Sequence, residues 1–480
     1  MNIRPNMSLT FDDVLLVPRR STVRSRGDVS TVTRLSRRIC MNVPIVSANM
    51  DTVTENQMAV AMARAGGIGI IHRFMTPERE ADEVRRVKRA ESHIVENPST
   101  VEPEATAREA TRLMERLGIG GLVVIGDDAR PIGIVTGRDL QFAPAELLVR
   151  DLMTPADRMV TAPADITLED AKRMLHEHRI EKLPLFDSNG RLAGLITRRD
   201  IDSMLKHPCA TKDIKGRLRV GAAVGVQAGF LERAALLLEA GADVLVVDIA
   251  HGHSDNAINA VRSLRREFGD IEIIAGNVAT AEGTRDLIDA GADAVKVGVG
   301  PGSICITRIV TGFGVPQLTA IADCVEAARP HDVPIIADGG IQTSGDVAKA
   351  LAAGADSVML GSLLAGTDES PGVIVMRNNR RYKVSRGMAS LGATMDRPDR
   401  RSKEGEDDPD MTEVVAEGVE AAVPYRGLAS DVVKQLVGGL RSALSYGGAT
   451  TISELQQTAE FTLISQAGMR ESHPHDVDVL

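Results

Sequence analysis

The residues best suited to do chemistry lie in one glycine-rich segment, residues 296–314 (KVGVGPGSICITRIVTGFG). An apolar run ends there in glycines at 298, 300 and 302, and Cys305 follows directly. Glycines this close together allow positive φ angles or close approach of a ligand to the backbone. Cys305 is a candidate nucleophile if its thiolate is stabilised, although a lone cysteine is more often a small hydrophobic residue. The segment predicts a strand that delivers a thiol on a tight loop.

The composition is that of a globular chain with several hydrophobic cores. Its 480 residues predict two or three domains. The formal net charge of −10 offers no basic surface, so we expect no nucleic-acid partner. The four cysteines (40, 209, 305 and 324) show no CxxC spacing, so neither a disulfide framework nor a zinc site is indicated. We find no secretory signal and no apolar run long enough for a bilayer, and therefore expect a cytoplasmic protein without membrane contact.

Short apolar runs separated by helical sequence predict parallel strands. Two runs flank a helix expected over 55–65, and another helix is expected over 78–92. Three of the later runs follow the same turn, Ala-Gly-Ala-Asp, with glycines at 241, 291 and 354. Eight βα units predict a (β/α)8 TIM barrel, with an open doubly wound sheet as the alternative. The eight runs are 44–50, 67–72, 220–225, 244–250, 271–277, 294–300, 334–340 and 357–361.

An internal repeat interrupts this pattern between residues 93 and 207. Residues 131–140 (PIGIVTGRDL) align without a gap with residues 192–201 (LAGLITRRDI). Each copy follows an amphipathic helix, expected over 107–117 and 168–178, and an apolar strand. The chain is therefore predicted to insert a repeated module, 93–207, into a barrel built from residues 1–92 and 208–480.

Each copy of the repeat carries a Thr-x-x-Asp pair that could hold a ribose through a hydroxyl and a carboxylate. A duplicated αβ unit can also be only a packing module. The two copies resemble a tandem pair of CBS domains, which implies regulatory binding of purine nucleotides such as ATP or GTP. The residues concerned are Thr136, Asp139, Thr197 and Asp200.

Polar residues and glycines gather at the predicted carboxyl ends of the barrel strands, where the chemistry of such barrels is found. This convergence favours the catalytic interpretation of Cys305. Gly339-Gly340 and Gly361-Ser362 lie where backbone N–H groups often cradle a phosphate. Asp338 could accept hydrogen bonds from a ribose diol. The strand-end residues are Asn49-Met50-Asp51, Asp248 to His251, Asn277, Gly300 to Cys305, Asp338 to Gly340 and Gly361-Ser362.

These motifs resemble the IMP dehydrogenase/GMP reductase family over essentially the whole chain, from residues 9–18 (LTFDDVLLVP) to residues 471–476 (ESHPHD). The segment 300–308 (GPGSICITR) carries most of the resemblance. It implies that Cys305 attacks C2 of a purine nucleotide and forms a covalent intermediate, with Thr307 and Glu417 as the proton-handling pair.

The resemblance also implies three ligand sites. The nucleotide, GMP or IMP, is assigned Ser303, Asp338, Gly340, Gly361, Ser362, Gly387, Met388, Asn49 and Met50. The nicotinamide cofactor, NADPH or NAD, is assigned Asp248, Asn277, Gly298 and Gly300. A potassium ion (K+) is assigned Gly300, Gly302 and Cys305, with Glu471, Ser472 and His473 of a neighbouring subunit. The shared ion implies a homo-oligomer, a tetramer with an octamer as a further assembly.

Two enzymes of this family differ after the covalent step. IMP dehydrogenase hydrolyses its adduct with an Arg-Tyr pair on a mobile flap, whereas GMP reductase expels ammonia and oxidises NADPH. The flap expected at about 391–416 contains no tyrosine, so we predict GMP reductase.

Smaller features point in both directions. Asn49-Met50-Asp51, Thr311-Gly312 and Ser385, which replaces a phosphate-binding tyrosine of dehydrogenases, favour the reductase. The CBS pair and the C-terminal ESHPHD segment favour the dehydrogenase, and Arg73 stands where reductases carry a lysine, although arginine is a poor proton donor. IMP dehydrogenase is therefore the alternative, and an inactive nucleotide-sensing scaffold is a second one.

Overall fold

Eight parallel strands form a closed barrel in the computed structural model, which describes residues 3–91, 95, 98–126, 130–395 and 415–477. Each strand pairs with the next one along the chain, and the eighth closes on the first. The predicted TIM barrel is therefore confirmed. In chain order the strands are Ile45–Ser47, Ile68–Ile71, Gly221–Val224, Val244–Asp248, Ile273–Val278, Ala294–Val297, Ile335–Asp338 and Ser357–Leu360.

Side-chain alternation along the strands separates two hydrophobic clusters. Val244 and Val246 of the fourth strand pack in a cluster with residues of the other strands. Leu245 and Val247, on the opposite face, pack in the larger cluster with the surrounding helices. The main barrel helices are Asn56–Arg64, Pro77–Ala90, Phe230–Glu239, Asp255–Phe268, Ala281–Ala290, Gln317–Ala328, Ser344–Ala352 and Ala429–Gly447.

The three Ala-Gly-Ala-Asp turns place their glycines at φ angles of +98°, +110° and +108°, which side chains rarely adopt. The aspartate that ends each turn accepts a hydrogen bond from a backbone N–H of the preceding βα unit. Each turn thus fixes the start of one strand against the start of the previous one. The pairs are Asp243 with Val220 at 2.8 Å, Asp293 with Ile273 at 2.9 Å, and Asp356 with Ile335 at 2.9 Å.

Buried ion pairs join the parts of the barrel that precede and follow residues 91–208. Glu80 and Arg233 lie 2.5 Å apart and are both buried. The ammonium of Lys88 lies 3.1 Å from Asp213 and 2.6 Å from Asp243. The barrel therefore closes across a long chain interruption through charge pairing as well as strand pairing.

The chain divides into two compact units, Met1–Ala90 with Cys209–Asp213 and Leu218–Leu480, and Glu91–Pro208 with Ile214–Arg217. Among its described residues, the second unit has two small sheets. The first contains Thr100–Val101, Gly121–Ile125, Pro131–Thr136 and Thr154–Pro155, and the second contains Ala162–Pro163, Lys182–Phe186 and Leu192–Thr197. Its helices are Ala107–Leu117, Gly137–Leu140, Val149–Leu152, Leu168–Glu177 and Arg198–Lys206.

The first unit also contains smaller sheets and short helices outside the barrel. An antiparallel sheet contains Ile374–Arg377, Arg380–Arg386 and Glu420–Pro424. Two-stranded sheets pair Val14–Leu16 with Phe461–Leu463 and Thr33–Arg34 with Cys40–Met41. Short helices are Thr307–Thr311, Ser362–Ala365, Leu391–Met395, Ile452–Thr458 and Gln466–Glu471. Within the described part of the chain, none of the helices combines the length and apolar character that crossing a membrane requires.

Candidate active site

Cys305 lies on the loop between the sixth strand and the helix Thr307–Thr311. The loop turns through Gly298 and Gly300, whose φ angles are +151° and +81°. A Cβ at Gly298 would overlap the carbonyl oxygen of Asp338, so only glycine fits. Cys305 is half-buried, and its Sγ lies 3.2 Å from Oγ1 of Thr307. The hydroxyl can therefore donate a hydrogen bond to a thiolate or exchange a proton with it.

The loop is held from behind by the segment that carries Glu417. The N–H of Ile306 donates to the Glu417 carbonyl at 2.9 Å, and the N–H of Val419 donates to the Ile304 carbonyl at 3.0 Å. Cys305 itself pairs with Gly418 as an isolated antiparallel bridge. The backbone of Glu417 thus lies beside the loop that carries Cys305 and Thr307.

Backbone hydrogen bonds also connect Gly387 and Met388 to the segment that carries Glu417. The N–H of Gly387 donates to the Val419 carbonyl at 3.0 Å, and the N–H of Glu417 donates to the Ala389 carbonyl at 2.9 Å. The N–H of Asp51 donates to Sδ of Met388 at 3.4 Å. The loop after the first strand, which also carries Asn49 and Met50, therefore contacts the segment that carries Gly387 and Met388.

Arg386 fixes this junction, and sequence reasoning did not find it. Its guanidinium binds the Asp51 carboxylate through two nitrogens, at 2.7 Å and 2.6 Å. Both nitrogens approach the same oxygen, Oδ2, so the pair holds the Asp51 carboxylate close to Arg386 and leaves its Oδ1 available. The sequence offers no local signal for this pair, because the residues are distant along the chain and only the tertiary fold joins them.

The loops after the seventh and eighth strands complete the predicted nucleotide site. Gly339 and Gly340 adopt φ angles of +91° and +81°. A Cβ at Gly339 would lie 2.9 Å from the Pro301 ring and 3.1 Å from the Gly302 nitrogen, so this loop adjoins the Cys305 loop.

The other members of the predicted nucleotide set lie on the same edge. Gly361 faces Sδ of Met50, Ser362 begins the helix Ser362–Ala365, and Ser303 is exposed on the Cys305 loop. The loops after the first, sixth, seventh and eighth strands therefore supply this set together with Gly387 and Met388.

Lys296 connects the predicted cofactor and nucleotide residues. It lies in the sixth strand with its side chain 3% exposed. Its Nζ donates to Asp248 at 3.0 Å and to Asp338 at 2.8 Å, and it also hydrogen-bonds to Oδ1 of Asn277. Sequence reasoning gives Lys296 no role, although a lysine inside the apolar run Ala294–Val297 is a usable signal of a buried polar site.

Each charged group in this network stabilises the ionised form of its partner. Burial raises the pKa of Asp248, but Lys296 and then Arg73 outweigh it, and the pKa lies below its usual range. Burial lowers the pKa of Lys296, but Asp338 and Asp248 outweigh it, and the pKa lies above its usual range. Both Lys296 and Asp248 are therefore charged at neutral pH.

Three buried polar atoms that follow the first and second strands have no hydrogen-bond partner among the described residues. They are Oδ1 of Asp51, Nε2 of His72 and Nε of Arg73. The Arg73 guanidinium also adjoins Gly225, at the end of the third strand. The carboxyl edge of the barrel therefore has unsatisfied polar groups suited to polar, partly anionic ligands such as a nucleotide and a dinucleotide.

The potassium assignment stays a prediction. Gly300, Gly302 and Cys305 share one tight loop, in which the Cys305 N–H donates to the Gly302 carbonyl at 3.1 Å. Glu471, Ser472 and His473 are exposed at the end of the helix Gln466–Glu471. Among the described residues, no group of three or more His, Cys, Asp and Glu side chains could hold a metal ion. Backbone carbonyl groups would therefore have to supply much of the coordination.

In the second unit, Thr136 and Asp139 bind each other. The hydroxyl and the N–H of Thr136 each donate to Asp139 at 2.7 Å, forming a capping box at the helix Gly137–Leu140. Thr197 ends its strand at the equivalent point, and the side chain of Asp200 lies outside the described residues. Ribose binding by these pairs stays a prediction.

The fold and the site define a (β/α)8-barrel protein with a candidate cysteine nucleophile at the carboxyl edge of its strands. The family model for the IMP dehydrogenase / GMP reductase domain matches residues 8–475. Inosine-5'-monophosphate dehydrogenase of Nitrosopumilus maritimus is 56% identical over 98% of both chains. GMP reductase of Leishmania major is 51% identical over 98% of this chain and 97% of its own.

A solved structure has a similar fold. A cysteine-to-alanine variant of GMP reductase from Trypanosoma brucei, in complex with guanosine 5'-monophosphate, matches with a TM-score of 0.92 and 48% identity over 98% of both chains. The chain belongs to the IMP dehydrogenase / GMP reductase family. It is an oxidoreductase of this family, whose members act on IMP or GMP with a nicotinamide cofactor.

Proposed function

We propose that this protein is a GMP reductase, which converts GMP, NADPH and two protons to IMP, NADP+ and ammonium. The observation that carries the proposal is the absence of tyrosine from residues 391–415. A dehydrogenase must activate water to hydrolyse its covalent adduct, and the segment that would carry the Arg-Tyr pair has no phenolic group.

The inserted module does not count against this proposal. The Leishmania and Trypanosoma GMP reductases match over nearly their whole lengths, so their alignments include the region of this chain between residues 93 and 207. The inserted module, which by resemblance favours the dehydrogenase, is therefore compatible with either activity. The alternative, IMP dehydrogenase, is favoured by the 56% identity to the Nitrosopumilus enzyme.

The chain's own residues perform two tasks in this proposal, and the cofactor supplies the hydride. The Cys305 thiolate adds to C2 of GMP, and the C2–N2 bond breaks as the leaving amine takes up a proton. Thr307, 3.2 Å from the sulfur, and Glu417 exchange the protons. NADPH, when bound, supplies the hydride that C2 receives, after which the C–S bond breaks and the thiolate returns.

The products test the proposal directly. With GMP and NADPH we expect IMP in chromatography, with one ammonium released for each NADPH oxidised. Accumulation of XMP from IMP and NAD, without any ammonium from GMP, would instead identify a dehydrogenase. Binding of nucleotide without product from either substrate pair would support the inactive scaffold.

We further propose that purine nucleotides bound to the second unit regulate this activity. Asp139→Ala is expected to reduce the effect of ATP or GTP on turnover at least about threefold while leaving basal turnover unchanged. Because Asp139 also caps a helix, Glu109→Ala is the matched control. Glu109 accepts from the N–H and the hydroxyl of Thr106 in the same way, both at 2.8 Å. Equal nucleotide effects in the wild type and in Asp139→Ala would contradict this proposal.

A further inference from the structure

One buried cation serves the two predicted subsites at once. The ammonium of Lys296 has three N–H donors and three acceptors, on Asp248, Asn277 and Asp338. Nδ2 of Asn277 donates in turn to Oδ2 of Asp338 at 2.9 Å, so a closed network forms. The cofactor-side carboxylate and the ribose-side carboxylate are therefore held by the same group.

We propose that Lys296 is a positioning residue that couples binding of the nucleotide to binding of the cofactor, an inference that rests on the proposed function. A ribose diol on Asp338 would compete with the ammonium for the carboxylate oxygens. The ammonium would then interact more strongly with Asp248, and the carboxylate that meets the cofactor would become better fixed. Coupling of this kind is reciprocal: each ligand strengthens the other by the same factor.

A buried ion pair can also be purely structural, and the chain contains a matched example. Lys88 is 5% exposed and lies between two aspartates, Asp213 and Asp243, at 3.1 Å and 2.6 Å. It also donates to the Leu218 carbonyl at 3.0 Å. Lys88 lies on an outer helix, and Asp243 precedes the fourth strand, at the edge of the barrel opposite to Cys305. Replacement of Lys88 therefore shows how the loss of a buried cation affects protein stability without altering the predicted ligand sites.

The test measures binding of NADPH with and without saturating GMP, in a Cys305→Ala background so that no turnover occurs. We expect GMP to tighten NADPH binding about tenfold when Lys296 is present, and less than about twofold in Lys296→Met. In Lys88→Met, GMP should still tighten NADPH binding about tenfold, while the midpoint of thermal unfolding falls. If GMP tightens NADPH binding by the same factor with and without the Lys296→Met substitution in the Cys305→Ala protein, the inference is overturned.

A folding defect would not leave the question open. If Lys296→Met does not fold, Lys296→Arg replaces it, since it keeps the charge but changes the hydrogen-bond geometry. A coupling factor reduced at least about threefold supports the positioning role, and an unchanged factor refutes it. If the wild type oxidises IMP with NAD instead of reducing GMP, the reductase proposal has failed. The same binding experiment with IMP and NAD then decides the role of Lys296 separately.

Discussion

Replacement of Cys305 by alanine is expected to lower turnover at least about 10⁴-fold while GMP still binds with nearly unchanged affinity. The reason is that in the proposed reaction the thiolate forms the covalent bond to C2, whereas the residues predicted to bind the nucleotide also lie on the loops after the first, seventh and eighth strands. Turnover is measured from oxidation of NADPH, and affinity from calorimetric titration with GMP.

The other cysteines provide controls for this loss. Cys40 is exposed, and Cys40→Ala should retain wild-type turnover. Cys324 is buried, and burial raises the pKa of its thiol to about 12, so it is no substitute nucleophile at neutral pH. Turnover of Cys305→Ala within tenfold of the wild type would exclude covalent catalysis by this residue.

Burial raises the pKa of Glu80 to about 8, so at a pH above that value replacement of Arg233 by methionine is expected to destabilise the barrel unit by about 3–5 kcal/mol, because it leaves a buried carboxylate without its cation. Glu80 is 0% exposed, and Arg233 also donates to the Met75 carbonyl at 3.0 Å. The effect is measured by urea unfolding, with the transition of the barrel unit fitted by itself.

Two further variants compare the contribution of the buried Glu80–Arg233 pair to stability with that of an exposed ion pair. Arg85→Met breaks an exposed pair with Asp82 on the same helix and should cost less than about 1 kcal/mol. The double variant Glu80→Leu/Arg233→Met removes both charges and should be more stable than Arg233→Met alone. A single-variant loss no larger than that of Arg85→Met would show that the Glu80–Arg233 pair does not hold the interrupted barrel together.

The barrel could be predicted from the sequence because its strands are buried on both faces and therefore appear as short apolar runs. The repeated Ala-Gly-Ala-Asp turn marked the unit boundaries, although the hydrogen bond from each aspartate to the preceding unit required the structure. The residues around Cys305 could be predicted because parallel strands bring all their carboxyl ends to one edge.

Contacts between distant side chains could not be derived in this way. Nothing near Asp51 in the chain identifies Arg386 as its partner, and nothing near Asp248 identifies Lys296 as the cation that it shares with Asp338. Thr136 and Asp139 illustrate the reverse case. Their spacing suggested a ribose site, and the same spacing of three residues also allows the helix cap that the structure shows.

The measurement that tests the central claim most directly is the absorbance of the reduced nicotinamide, with purified protein in potassium buffer. GMP plus NADPH is compared with IMP plus NAD. We expect a steady fall of absorbance with GMP and NADPH, and no sustained rise with IMP and NAD, since residues 391–415 offer no tyrosine to activate water. Sustained formation of NADH from IMP would contradict the reductase assignment and show that another residue activates the water.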